Sequence, residues 1–216
     1  PTRRSSDLRH LVYVRGIDAS DDYERPLAIQ IEALLRLTST MADDGLLSFP
    51  ELLDNMIVLE RAHWRSLSER VADLAMARGL GQVTLVQGVD TRPAAEQLLL
   101  ADRFDDKRTS RADVDPLFRQ LRQLYGNGSG GIAQLEPDLI GEHHVASEDV
   151  GDAELIAGCL AWIAAQPQDH RPHCRRDLLT VLQRATHRVH GAGTTGRAEA
   201  MLHIIITQHI DTFAAE

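Results

Sequence analysis

Apolar residues recur at intervals of three and four through most of this chain, and that period restricts it to folds built from amphipathic helices. The first clear stripe is Leu27, Ile31, Leu34, Leu35 and Leu37. It predicts a helix from about Arg25 to Ala42, ended by Asp43-Asp44-Gly45, with Pro26 in the first turn, where a missing amide hydrogen costs nothing. Aromatic side chains make up only 4% of the residues while 43% are hydrophobic. The core therefore rests on Leu, Ile, Val and Ala, a composition that leans helical.

Further along, Ser48 and Glu51 bracket a capping box with Pro50 between them. Leu52, Leu53, Met56, Leu59, Ala62 and His63 carry one face toward Trp64, and Leu67, Val71, Leu74 and Ala75 extend it. This predicts one long helix, or two with a break near Trp64, closed by Arg78-Gly79. Val83-Thr84-Leu85-Val86 reads as a short helix, because no partner strand follows. Thr91 caps a helix that Pro93 begins and that carries Ala94, Ala95, Leu98 and Leu99. Residues 102–112 read as a charged loop, and a helix from about Val114 carries Leu117, Leu121 and Leu124 to Tyr125-Gly126.

Gly126-Asn127-Gly128-Ser129-Gly130-Gly131 is the strongest punctuation in the chain. It reads as a hairpin tip or wing and not as a phosphate cradle, since no strand precedes it and no Gly-Lys-Ser/Thr follows. A short helix after Pro137 holds Leu139, Ile140, His144 and Val145. Helices are then expected at about Asp152–Ala165, His173–His190 and Thr195–Phe213. Successive helices on short linkers suit a bundle or the start of a stacked array.

Candidate chemistry is sparse. The net charge of -9, from 32 acidic and 23 basic residues, opposes a phosphate-binding surface. Arg171, Arg175 and Arg176 read as a solvated helix start. Cys159 and Cys174 make no disulfide framework, and Cys159 reads as a buried thiol. No run of apolar residues reaches the length of a membrane span, and a cytoplasmic location is the default expectation. Of the ten histidines, His170 and His173 with Cys174 form the best metal trio, but three arginines would surround the cation. Glu60 with His63, and Glu199 with His203, supply two ligands each where zinc needs three or four. His143-His144 places one ring toward the packing side and the other toward water. Asp21-Asp22, Asp43-Asp44 and Asp105-Asp106 sit beside turn residues and define no acid–base separation. No nucleophile motif is present. The expected set of catalytic and metal-binding residues is therefore empty.

The chain opens Pro1-Thr2-Arg3-Arg4-Ser5-Ser6-Asp7-Leu8, without an initiator Met. That string resembles the forward translation of a short-read sequencing adapter, so residues 1–8 are expected to be non-native. The remainder is expected to be a piece of a longer protein.

Four segments together resemble the bacterial signal-transduction ATPases of the STAND class, relatives of NB-ARC and NACHT proteins. They are Arg25-Pro26-Leu27-Ala28-Ile29-Gln30, Leu59-Glu60-Arg61-Ala62-His63-Trp64, Leu135-Glu136-Pro137-Asp138-Leu139-Ile140-Gly141-Glu142, and Leu178-Leu179-Thr180-Val181-Leu182-Gln183. Each is weak alone; their order and spacing carry the resemblance. It implies a mainly α fold: a helical lid over residues 9–78, a winged-helix-like domain with a small β wing over 79–148, and the start of a helical repeat array over 149–216. It further implies that Pro26 contacts the adenine of ATP or ADP held with Mg by an upstream ATPase core in the same chain, although Arg25 directly precedes it here. On that basis the chain would be a regulatory switch, itself without catalysis, whose helical repeats engage protein partners, with no membrane and no nucleic acid among them. A freestanding helical scaffold or interaction module is the alternative, and a winged-helix DNA-binding regulator is a further one.

Overall fold

In the computed structural model, described residues are 30–35, 47–67, 71–101, 103–104, 107–108, 110–136, 138–187 and 192–210. Division between Met56 and Ile57 gives two compact units. In the first, residues 30–35 are helical, and Ile31, Leu35, Phe49, Leu52, Leu53 and Met56 are buried. Helix α1, Phe49–Leu67, runs through the division. Its start carries the carboxylate half of the capping box read from sequence. The Glu51 carboxylate accepts from both the backbone N–H and the hydroxyl of Ser48, each at 2.7 Å, which satisfies a donor the first turn would otherwise leave open.

The second unit is arranged around α2, Asp73–Leu85. Every residue from Met76 to Leu85 is buried, because this helix packs against α3 (Arg92–Leu100), α4 (Arg111–Tyr125), α5 (Asp138–Val145), α6 (Ala153–Ala165) and α7 (Arg171–His187). Two glycines permit that approach. A Cβ on Gly79 would lie 3.0 Å from Leu99 Cδ2 and 3.1 Å from Leu121 Cδ1, and one on Gly81 would lie 2.4 Å from Val150 Cγ1. The face forms two helices, as one of the two readings had it, the first ending at Leu67 just past Trp64 and the second beginning at Asp73, and Arg78-Gly79 is not a terminus. The basic–glycine pair that signals a helix end is used here inside a helix, for an ion pair and for close packing. The true end comes at Gln87 (φ 57°) and Gly88 (φ 97°), where the Gly88 amide reaches back to Val83 O at 2.8 Å in a left-handed cap. Val83-Thr84-Leu85 thus forms the last turn of α2.

Thr91 caps α3 as expected, its hydroxyl accepting from the Ala94 amide at 3.4 Å. Between α3 and α4, Arg103–Phe104 (β1) pairs antiparallel with Lys107–Arg108 (β2), a two-residue ladder inside the segment read as a loop. Helix α4 starts at Arg111, with Ser110 and Asp113 forming a second capping box.

The expected winged-helix-like domain is overturned. Among the described residues the chain is mainly α-helical, and its sheet is no larger than the ladder just named. The turn at 126–131 carries only single-residue bridges, Gly126↔Ile132 and Val89↔Ile132. The cause is the Asn127 side chain. Its Oδ1 accepts from the Gly131 amide at 2.7 Å and from the Ser129 hydroxyl at 2.8 Å, drawing the glycine run into a tight loop instead of two strands. Gly131 lies so close to the α2–α3 connection that a Cβ there would sit 1.7 Å from Val89 O.

Asp152 caps α6, and the Trp162 indole donates to Ala94 O at 3.0 Å, tying α6 to α3. Helix α8, Ala192–Gln208, packs chiefly on α7, with Ala198, Met201 and Ile205 buried. Among the described residues no helix is long and apolar enough to cross a membrane.

Candidate functional site

Two features of the second unit rise above ordinary packing. The first is an open groove of about 350 Å³ between α7 and α8, lined by Gln183 and Thr186 from α7 and by Glu199, Leu202, His203 and Ile206 from α8. Helix α8 is apolar on two sides. One side, Ala198, Met201 and Ile205, faces the core, whereas Leu202 and Ile206, one turn apart, line the groove, and Ile210 follows just beyond the helix end. Ile206 is 58% exposed and Ile210 49%. A helix that only closed a core would be expected to carry polar residues on its outer side. The rim beside this stripe is polar: Glu199 and His203 stand one turn apart on α8, opposite Gln183 and Thr186.

The second feature is a buried polar cluster where α1, α2 and α5 meet. His144 is wholly buried, with Nε2 2.9 Å from Ala77 O, and its ring stands edge-on to Trp64, centroids 6.0 Å apart at 79°. Burial pushes its pKa down to about 4, and the Arg61 and His143 charges act in the same direction. The Trp64 indole donates to the Tyr125 hydroxyl at 2.7 Å, which donates onward to Glu60 Oε2 at 3.1 Å. Burial raises the Tyr125 pKa, so the phenol stays protonated. Gln120 closes the network by donating to Trp64 O at 3.2 Å. Nearby, the almost fully buried Arg78 pairs with Asp152 at 2.5 Å, and Glu142, 2% exposed, faces Arg184 at 3.9 Å. These contacts join helices; none presents a nucleophile to solvent.

The residues singled out from sequence scatter across these surroundings. Pro26, assigned to adenine, lies outside the described residues, as do Asp21-Asp22, Asp43-Asp44 and Asp105-Asp106. His170 and His173 are exposed and Cys174 is partly buried, its thiol pKa raised by burial and by Asp177. Among the described residues no three His, Cys, Asp or Glu side chains converge on a metal position. Glu60 serves Tyr125, and His63 is exposed. Glu199 and His203 share the groove rim. Cys159 is buried as expected. The division of labour expected for His143 and His144 does not hold, because both are buried: the short helix α5 is covered by neighbours that bring their own polar partners. Arg175 is likewise buried, between exposed or half-buried neighbours. Sequence reading missed the groove, although Ile204-Ile205-Ile206 signalled it: three consecutive isoleucines cannot all face one side of a helix.

No family model, no curated protein and no solved structure matches this chain.

Proposed function

We propose that this chain is a non-catalytic helical interaction module that receives an amphipathic helix of a partner protein in the groove between α7 and α8. The observation that carries this reading is the second apolar stripe of α8, half-buried Leu202 and exposed Ile206, lining an open groove with polar lips. The fourfold spacing favours a helix as the occupant, because ridges formed by every fourth residue fit the grooves of another helix. Apolar anchors at that same spacing on the partner would fill the space. The buried titratable groups support the same view, since each is engaged between helices and not presented in a cleft. Reading the chain as the switch portion of a signalling ATPase rests on the four quoted motifs alone, and no feature of the fold favours it over the interaction module.

The test is a selection of helical peptides displayed on phage against the intact chain. Enrichment of peptides with apolar residues at positions one, four or five, and eight, retained by wild type and lost on Ile206→Glu, supports the reading. No enrichment, or enrichment that Ile206→Glu leaves intact, would sink it.

A further inference from the structure

We propose that His144 is an acid-sensitive latch, holding α5 against α1 and α2 while its ring is neutral and releasing them when it takes a proton. The geometry has three parts. The ring is completely buried. Its Nε2 meets Ala77 O of α2 at 2.9 Å, so in the neutral ring that nitrogen carries the hydrogen and donates. The ring edge meets Trp64 of α1, itself only 1% exposed. One side chain therefore joins three helices through contacts that a neutral imidazole satisfies and that give a buried cation no carboxylate of its own.

Each element at this junction carries charged groups, of which Arg61, His143 and Asp149 act on the ring. From α1 comes Arg61, whose guanidinium is held by Asp149 at 2.6 Å. From α2 comes Arg78, committed to Asp152. On α5 itself stand His143, also buried, and Glu142, which faces Arg184 of α7. The turn after α5 carries Asp149, half exposed. Arg61 and His143 oppose a charge on His144, and the Ala77 carbonyl and Asp149 favour one. Burial opposes it most of all, so the ring is neutral in the closed state down to about pH 4.

The direction of the pH effect follows. An imidazole freed into water titrates near pH 6.5, above its closed-state value. The open state therefore binds more protons across this window. Closure is fully favoured above about pH 6.5, weakens by about tenfold per pH unit below it, and weakens no further under about pH 4. The device is specific to the α1–α2–α5 junction, because the contacts that would be lost belong to Trp64, Ala77 and His144.

Amide exchange by mass spectrometry, corrected for intrinsic rates, tests this on the full chain. Protection of α5 should fall about tenfold per unit between pH 6 and 4.5, while amides of α6 change less. An equal loss in α6 would show whole-domain unfolding and would overturn the latch, as would pH-independent protection of α5. His144→Gln should flatten the α5 profile. If that variant does not fold, two others decide the matter through charge alone. Arg61→Gln removes an opposing charge, lets the closed state tolerate the proton better and should move the opening midpoint to lower pH, whereas Asp149→Asn removes a favouring one and should move it higher. Shifts of the same sign for both, or none, would refute the proposal. Imidazole resonances of wild type give a direct reading: a His144 titration near 6.5 with the chain fully folded would also refute it.

Discussion

The indole nitrogen of Trp64 donates to the hydroxyl of Tyr125 at 2.7 Å, across 61 positions of sequence. Trp64 is buried, so its N–H has no recourse to water once that hydroxyl is removed. Tyr125→Phe should therefore cost about 1–3 kcal/mol, the usual penalty for stranding a buried donor. Glu60→Gln should cost less, because the amide oxygen can still accept from the tyrosine. Urea unfolding of the two variants checks the order. Equal stability of Tyr125→Phe and wild type would show that the bond contributes nothing net.

The pair also shows what was legible beforehand. Helical period placed Trp64 on a helix and Tyr125 at the end of another, and caps at Ser48 and Thr91 were readable because each depends on residues three apart. The partnership itself was not readable, since it depends on how two helices cross. The same limit explains Arg78-Gly79. A local rule for helix ends pointed to a stop, but burial of Arg78 against Asp152 and close packing at Gly79 were decided by tertiary neighbours. The glycine run at 126–131 was readable as a turn, but not its clamp by Asn127, which closed it without strands. The groove was half legible: the isoleucine run exceeded what one buried face can use, yet only the placement of α7 beside α8 opened a space along it.

At the tight loop, glycines of the same run should differ sharply. A Cβ at Gly131 would overlap Val89 O, whereas one at Gly128 would meet nothing within 4 Å. Gly131→Ala is expected to destabilise by at least about 2–3 kcal/mol, since backbone must move to relieve it. Gly128→Ala should stay within about 0.5 kcal/mol of wild type. Thermal unfolding of both variants measures the contrast, and comparable melting temperatures would contradict the packing described.

Asp152 serves two partners, the Arg78 guanidinium and the Leu155 amide at 2.7 Å. Asp152→Asn retains a good cap but removes the charge facing the buried Arg78 guanidinium, and should cost about 1–3 kcal/mol. Asp152→Ala should lose about 1 kcal/mol more, from the cap. By comparison, removing the half-buried Asp73, whose partner Arg65 is exposed, should cost under about 1 kcal/mol. Denaturant midpoints of the three variants give the ranking; an Asp152→Asn cost no greater than that at Asp73 would refute the burial argument.

The most direct test of the interaction module is a calorimetric titration of one selected helical peptide into wild type, Ile206→Glu and Val58→Glu. Val58 is equally apolar and 64% exposed, on α1 away from the groove lining, so it controls for general stickiness. Both variants should keep wild-type stability within about 0.5 kcal/mol, as exposed positions usually do. Saturable binding is expected for wild type and Val58→Glu, and at least about tenfold weaker binding for Ile206→Glu, from placing a charge against an apolar anchor. Equal affinity for all three proteins, or a loss only with Val58→Glu, would contradict the assignment of the α7–α8 groove as the interaction face.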